Sequence, residues 1–386
     1  MTKNVFEQID KLTAEYVDIW EEVCNIESPS SDKAAVDRVG AYFIALAEKR
    51  GWKTEIFEQE KFGNVVCVTM NADADAQPIA ISGHMDTVHP IGSFGTPAVR
   101  RDEQWIYGPG VADCKGGVVA GFLAMDALRI CGFKSRPVTM YVQSNEEIGS
   151  GLNNKAPIEY ICKRAENALA FLNLEDHEGF FDGKVCLIRK GIAGFNFSIK
   201  GVAAHSSYCA KEGASAIKEA AYKILELEKL KDDEGITCNC GIISGGSAPN
   251  AVPDRCDFRA DVRFRTMEQY EKAVEYLQKV ADTVYVPGCI CTLTQTNLRP
   301  AMELNERNVS LLEKVNAIFV ESGLSPLEIG MKNGGSDASD VTLHGIPCID
   351  SIGVSGERIH STEEHALISS LPESAKRVAA IICNLR

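Results

Sequence analysis

Apolar side chains recur at helical intervals at Phe6, Ile9, Leu12, Tyr16, Ile19, Trp20 and Val23, so the chain opens with an amphipathic helix running to Cys24. The cap signal Ser30-Ser31-Asp32 starts a second helix that reaches about Arg50, where Gly51 ends it. The period then shortens. Short β-like runs stand at Lys53–Phe57, Val65–Met70 and Ile79–Ser82, with Gly63-Asn64 as a turn. A loop rich in glycine and proline, residues 90–110, leads into a helix that reaches about Cys131 and closes on Gly132. Val138–Gln143 and Ala168–Leu174 read as buried strands. Helical periodicity returns from Asn305, followed by a strand at Pro347–Ile352 and a last helix from about Leu371 to Asn384.

Between these halves the texture changes near Gly191. Gly194–Lys200 alternates, Gly213–Leu230 is helical, Cys256–Phe264 is a strand, Met267–Val280 a helix and Ile290–Thr296 a strand. Such a block, set apart from what precedes and follows, predicts an inserted α+β domain over 191–300 and a discontinuous α/β domain from 1–190 and 301–386. A chain of 386 residues is in any case long for one compact core.

Composition narrows the class. Hydrophobic content of 45% and charged content of 24% are ordinary for a globular protein, which excludes a fibrous or disordered chain. A net charge of −14 opposes general binding to nucleic acid or anionic membrane, yet leaves room for a locally positive pocket. There is no apolar leader and no stretch of about 18 uncharged apolar residues, so a cytoplasmic protein without a membrane span is expected. The 14 cysteines are expected to stay reduced; Cys238-Asn-Cys240 and Cys289-Ile-Cys291 lack the Cys-x-x-Cys spacing and lie in strand-like runs where thiols pack as small hydrophobes.

The chemistry collects at strand ends. Ile79–Ser82 leads into His84 and Asp86, two residues apart and so able to share a side, which suits a metal ligand and the carboxylate that orients it. Asp113 lies just ahead of a helix, in a glycine-containing loop, where an isolated aspartate is ordinarily a cap. Val138–Gln143 runs into Glu146-Glu147, adjacent carboxylates that suit a division between ligation and proton transfer. Ala168–Leu174 delivers Glu175-Asp176-His177, and Pro347–Ile352 is followed by His360. Sites in open α/β sheets form outside the carboxyl ends of strands, so the coincidence of these ends is far more specific than any one of them.

Six motifs in order, ISGHMDTV, GPGVADCKGG, SNEEIGSG, NLEDHEG with GVAAHSS, SAPNAVPDR with ADVR, and GGSDAS with RIHSTEE, resemble the two-zinc metallopeptidases that include carboxypeptidase G, peptidase T, acetylornithine deacetylase, succinyl-diaminopimelate desuccinylase and the aminoacylases. The resemblance is nearly full length. It implies a mixed-sheet, three-layer catalytic domain of zinc-exopeptidase type with an inserted lid or dimerisation domain. By the same likeness His84, Asp113 and Glu175 would hold one zinc, and His360, Asp113 and Glu147 the other, with Asp113 bridging. Glu146 would be the general base and Asp86 would fix the tautomer of His84. His205 would reach into a partner subunit's site to stabilise the oxyanion, which requires a homodimer. Asn250, Arg263 and Arg299 would grip a carboxylate-bearing substrate, and Gly334 and Gly335 would let backbone approach it. Cobalt or manganese suits the same donors as zinc.

Two positions depart from the family pattern. Cys114 follows the bridging aspartate where relatives often have Asp, Met or Thr. Asp176, in place of proline, follows Glu175 and is an alternative ligand; Glu175 is preferred because its distance of 28 residues from Glu147 matches the deacylase and carboxypeptidase branches. His89, His177, His344, His365 and Cys209 are assigned to structure or surface. The expected function is hydrolysis of short peptides bearing a free carboxylate, by an exopeptidase closest to the peptidase T and carboxypeptidase G types. The alternative is an N-acyl amino acid deacylase. A non-catalytic relative would have lost a ligand or the base, and the sequence retains all of them.

Overall fold

A computed structural model describes residues 1–149, 151–178, 183–209, 211–231 and 235–386. Ser150 and Gly179, which belong to two of the motifs, lie outside them. The larger sheet has six strands in the order Lys53–Phe57, Val65–Met70, Val138–Gln143, Ile79–His84, Ala170–Asn173 and Cys348–Ile349. The first two pairings are antiparallel and the last three parallel, which makes the sheet mixed. Val138–Gln143, Ile79–His84 and Ala170–Asn173 are buried at every residue, as continuous apolar runs in a covered parallel sheet should be.

Three helices, Thr2–Asn25, Lys115–Ile130 and Ser370–Asn384, pack on one another, and Lys115–Ile130 also packs on the central strand Ile79–His84. Asp32 caps the helix Lys33–Glu48 by accepting the Ala35 N–H at 3.0 Å, and Gly51 and Gly132 follow their helices at positive φ. Glycine on Lys115–Ile130 sets the approach of helix to sheet: a Cβ at Gly117 would lie 1.9 Å from the Leu174 carbonyl oxygen.

A second, separate apolar core runs from Ala193 to Ala301. Its antiparallel sheet has the order Thr237–Gly245, Arg255–Phe264, Gly191–Lys200, Ile290–Arg299, and the helices Ala216–Leu227 and Met267–Asp282 pack against it. Gly191–Lys200 alternates buried and half-buried residues, the signature of a sheet covered on one face. Thr266 and Gln269 form a reciprocal capping box at the start of the second helix. The buried Lys223 ammonium donates to the carbonyls of Val280, Ala281 and Thr283 at that helix's far end.

Two expectations shift. The strand expected over Pro347–Ile352 pairs only at Cys348–Ile349, because Ser351 turns at φ 59° and the buried Asp350 takes Arg189. The strand-like run around Cys238 and Cys240, left without bounds because of its asparagine, glycines and weak alternation, extends over Thr237–Gly245 and forms the edge of the second sheet. Among the described residues no helix is long and apolar enough to cross a membrane.

Gly117→Ala would gain about 1 kcal/mol of helix propensity but must displace the Leu174 carbonyl just beyond the strand. The expected net result is a loss of about 1–3 kcal/mol, seen as a lower denaturant midpoint at unchanged slope.

Candidate active site

The three central parallel strands end side by side, and the turns that leave them hold Glu146 and Glu147, then His84 and Asp86, then Glu175. Asp113 joins them from a loop that is fastened from behind. The buried Glu364 carboxylate accepts the Ala112 and Asp113 N–H groups at 2.9 and 3.1 Å and the Gly110 N–H at 3.2 Å, and the Trp20 indole N–H donates to the Val111 carbonyl at 3.1 Å. The Asp113–Cys114 peptide is cis, and the Cys114 sulfur accepts the His84 N–H at 3.0 Å. Asp113 caps no helix: its carboxylate faces two imidazoles.

His84 Nε2 lies 2.9 Å from Asp113 Oδ1 and 3.9 Å from Glu175 Oε1. His360, at φ 60°, places Nε2 3.2 Å from Asp113 Oδ2 and 3.2 Å from Glu147 Oε2. Donors around a tetrahedral zinc, each about 2.0–2.2 Å from the ion, lie about 3.4 Å apart, so both clusters have the spacing and the nitrogen and oxygen chemistry of metal donor sets. His84 Nδ1 meets the Asp86 backbone carbonyl at 3.0 Å and its carboxylate at 3.5 Å. The Asp86 carboxylate also accepts the Ser30 hydroxyl at 2.6 Å and the Glu146 and Glu147 N–H groups at 3.0 and 3.3 Å, so one buried acid orients a histidine and both glutamates. Of the two neighbouring acids, Glu175 is the one beside His84; Asp176 is turned to the Lys332 ammonium at 3.0 Å.

Crowding shifts these acids in opposite directions. Burial, with Asp337 adding to it against the pull of Arg299, pushes Glu146 up to about 8. Burial raises Glu147, with Asp113 contributing, and raises Glu175 well above the usual range, with Glu146 contributing. Asp113 is held far below the usual range, because hydrogen bonds from His360 and His84 outweigh its burial. Buried acids in such excess over nearby cations are what a bound cation would relieve.

These groups wall a cavity of about 510 Å³, which Arg189, Arg263, Arg299, Lys332, Gly334 and Gly335 also line. Arg263 and Arg299 flank Ile192 in one row across three strands, so the end of the second sheet reaches the cavity. Arg263 is tied to Asp261 at 2.6 Å. Arg299 is buried, with Nη1 2.7 Å from Asp337 and Nη2 2.7 Å from the Glu146 carbonyl. The Gly334 and Gly335 carbonyls accept Arg189 Nη1 at 3.1 and 3.4 Å.

His205 and Asn250 stand apart from the cavity. Both are exposed on adjacent loops of the second unit, where His205 bonds the Ser207 hydroxyl at 2.7 Å and the Asn250 carbonyl accepts the Ser206 N–H at 3.0 Å. Of the histidines assigned to structure, the buried His89 meets Glu364 at 3.2 Å and His177 meets the Ser351 carbonyl at 3.2 Å. All 14 cysteines are free thiols. Sequence reasoning assigned no role to Glu364, Arg189, Lys332 or Asp337; GGSDAS and RIHSTEE contain two of them, but their partners lie far along the chain.

Residues 187–289 match the profile of a peptidase dimerisation domain. Carboxypeptidase G2 of Pseudomonas sp. strain RS-16 is 27% identical over 371 residues, covering 95% of this chain and 88% of that protein. Succinyl-diaminopimelate desuccinylase of Helicobacter hepaticus is 25% identical over 347 residues, covering 85% and 86% of the two chains. The crystal structure of a tripeptidase from Staphylococcus aureus superposes with a TM-score of 0.78 at 25% identity, over 96% of this chain and 97% of that one. Over nearly its full length the chain is thus similar to metallopeptidases and deacylases. Those relatives are hydrolases of amide bonds.

Divalent metal at about 100 times its dissociation constant should add roughly 2.7 kcal/mol to folding stability. Thermal unfolding with added metal, and again with excess chelator, checks this; Asp113→Asn is expected to abolish most of the difference.

Proposed function

We propose that this metallohydrolase is a two-zinc exopeptidase that cleaves short peptides bearing a free carboxylate. The observation that carries the reading is Asp113, whose two oxygens face His84 and His360 while Glu146 stands on the wall of the same cavity. His84, Asp113 and Glu175 would hold one ion and His360, Asp113 and Glu147 the other, with cobalt or manganese as substitutes. Bound there, the ions supply Lewis-acid polarisation of the scissile carbonyl and acidify the attacking water.

The protein's own groups do the rest. Glu146 takes the proton of the attacking water and returns it to the leaving amine, a task suited to a carboxyl that burial pushes up to about 8. Asp86 keeps His84 in one orientation and holds the backbone of Glu146. Arg263 offers its remaining donors to the substrate carboxylate, with Asn250 as a second contact, and Gly334 and Gly335 give backbone access to the bound peptide. His205 would serve the site of a second copy in a homodimer and donate to the developing oxyanion; its exposure on a segment matching a dimerisation domain supports this.

The peptide reading draws support from the likeness to carboxypeptidase G2 and to the tripeptidase. The likeness to a succinyl-diaminopimelate desuccinylase favours one alternative, hydrolysis of an N-acyl amino acid. Amino acid release from dipeptides, tripeptides, and N-acetyl and N-succinyl amino acids, measured on zinc-loaded protein, separates them. Turnover of peptides is expected; cleavage confined to one acyl amino acid would move the enzyme to the deacylases. Glu146→Gln is expected to lower kcat by about 10²–10⁴-fold while metal content, read by elemental analysis, stays at the wild-type level.

A further inference from the structure

We infer that Arg299 and Asp337 are a positioning pair for Glu146, fixing the base from behind, and that Arg299 is not a substrate anchor. The inference rests on the reading of Glu146 as general base. Arg299 approaches Glu146 twice: Nη2 donates to its backbone carbonyl at 2.7 Å, and Nη1 lies 3.1 Å from its Oε1. The same Nη1 donates to Asp337 Oδ1 at 2.7 Å, and the other Asp337 oxygen accepts the Gln143 side-chain amide at 3.0 Å. Gln143 ends the strand that leads to Glu146, and its own amide oxygen accepts the Ser144 N–H at 2.8 Å. The contacts close a ring from the strand end, through Asp337 and Arg299, to the base three residues on.

Every member of the ring is buried, with Arg299 5%, Asp337 3% and Gln143 1% exposed. The planar fork of arginine suits this task because it holds side chain and main chain of one residue at once, which a lysine cannot do. The motif glycine before the helix Asp337–Leu343 serves the same arrangement: a Cβ on Gly335 would lie 2.7 Å from Arg299 Cδ, so its bareness admits the arginine. Asp337 is not among the residues that line the cavity, and its reach to Glu146 passes through Arg299.

Steady-state kinetics of metal-loaded Arg299→Lys, Asp337→Asn and Glu146→Gln, each checked for fold by circular dichroism and for metal by elemental analysis, test the pair on the best peptide of the wild type. Arg299→Lys and Asp337→Asn are both expected to lower kcat by about 10²-fold with KM and metal content unchanged, the loss expected of a misplaced catalytic group. A raised KM at wild-type kcat in Arg299→Lys, wild-type kinetics in Asp337→Asn, or loss of metal from either overturns the inference. If Arg299→Lys does not fold, Asp337→Asn decides alone. Full activity in Glu146→Gln removes the reading of the base, and this inference with it; an inactive Glu146→Gln beside a normal Asp337→Asn removes only the inference.

Discussion

The cleft depends on one carboxylate, Asp113, being held still between two imidazoles while other acids crowd it. Two like charges 4 Å apart repel by about 4 kcal/mol at an effective dielectric near 20, and Asp113 shares its surroundings with Glu147 and Glu175. Glu364 holds its loop by accepting the backbone N–H groups of Gly110, Ala112 and Asp113, so the loop's position is set by buried hydrogen bonds behind the acids. Asp86 does the same for the other wall, where one carboxylate binds the backbone of both Glu146 and Glu147. The donors are therefore pre-placed by groups that do not themselves face the cavity, an arrangement suited to tight and oriented binding of cations.

The parallel strands make that economy possible. Adjacent strands running the same way bring their carboxyl ends to one edge, and side chains from three turns then lie within a few ångströms with no long excursion of the chain. Small residues on the helix Lys115–Ile130 matter for the same reason: Gly117 sits against the Leu174 carbonyl, one residue before Glu175, so the distance from helix to sheet also fixes a site residue. Packing and chemistry share the same few contacts here.

Much of this was legible in the sequence because the signals are local. Apolar runs identify the central strands, and the polar residue just after each run can only emerge at its end, so His84, Glu146 with Glu147, and Glu175 could be placed before any coordinates. His360 was read beyond the last strand end as well, but the short pairing of Cys348–Ile349 leaves a long irregular segment before it, so only the family resemblance gave it a place beside Asp113. The supporting shell was not legible at all. Glu364 reaches Asp113 across 251 positions, Arg189 meets Asp350 across 161, and Arg299 meets Asp337 across 38; Glu364 and Asp337 lie inside quoted motifs and Arg299 was singled out, but nothing local names their partners. Such pairs are selected by three-dimensional proximity, which hydrophobic period does not encode. The expectation that Arg299 faces substrate came from the resemblance of Leu298-Arg299-Pro300 to a carboxypeptidase contact, and such a likeness does not say what occupies a guanidinium's donors.

Charge pairing also decides which acids remain available. The cavity region holds more carboxylates than a two-ion site would use, and the structure disposes of the surplus with cations. Lys332 takes Asp176 by its side chain and its backbone carbonyl, and Arg189 takes Asp350 while bonding the Gly334 carbonyl. Those two acids are thus compensated where they stand, and the neighbouring Glu175 is left facing His84. Without Lys332 the two consecutive acids would compete for the same position, because both are buried and both adjoin the donor cluster. The preference for Glu175 over Asp176, first drawn from spacing, thereby gains an electrostatic reason: Asp176 is turned to the Lys332 ammonium, and Glu175 points at the histidine.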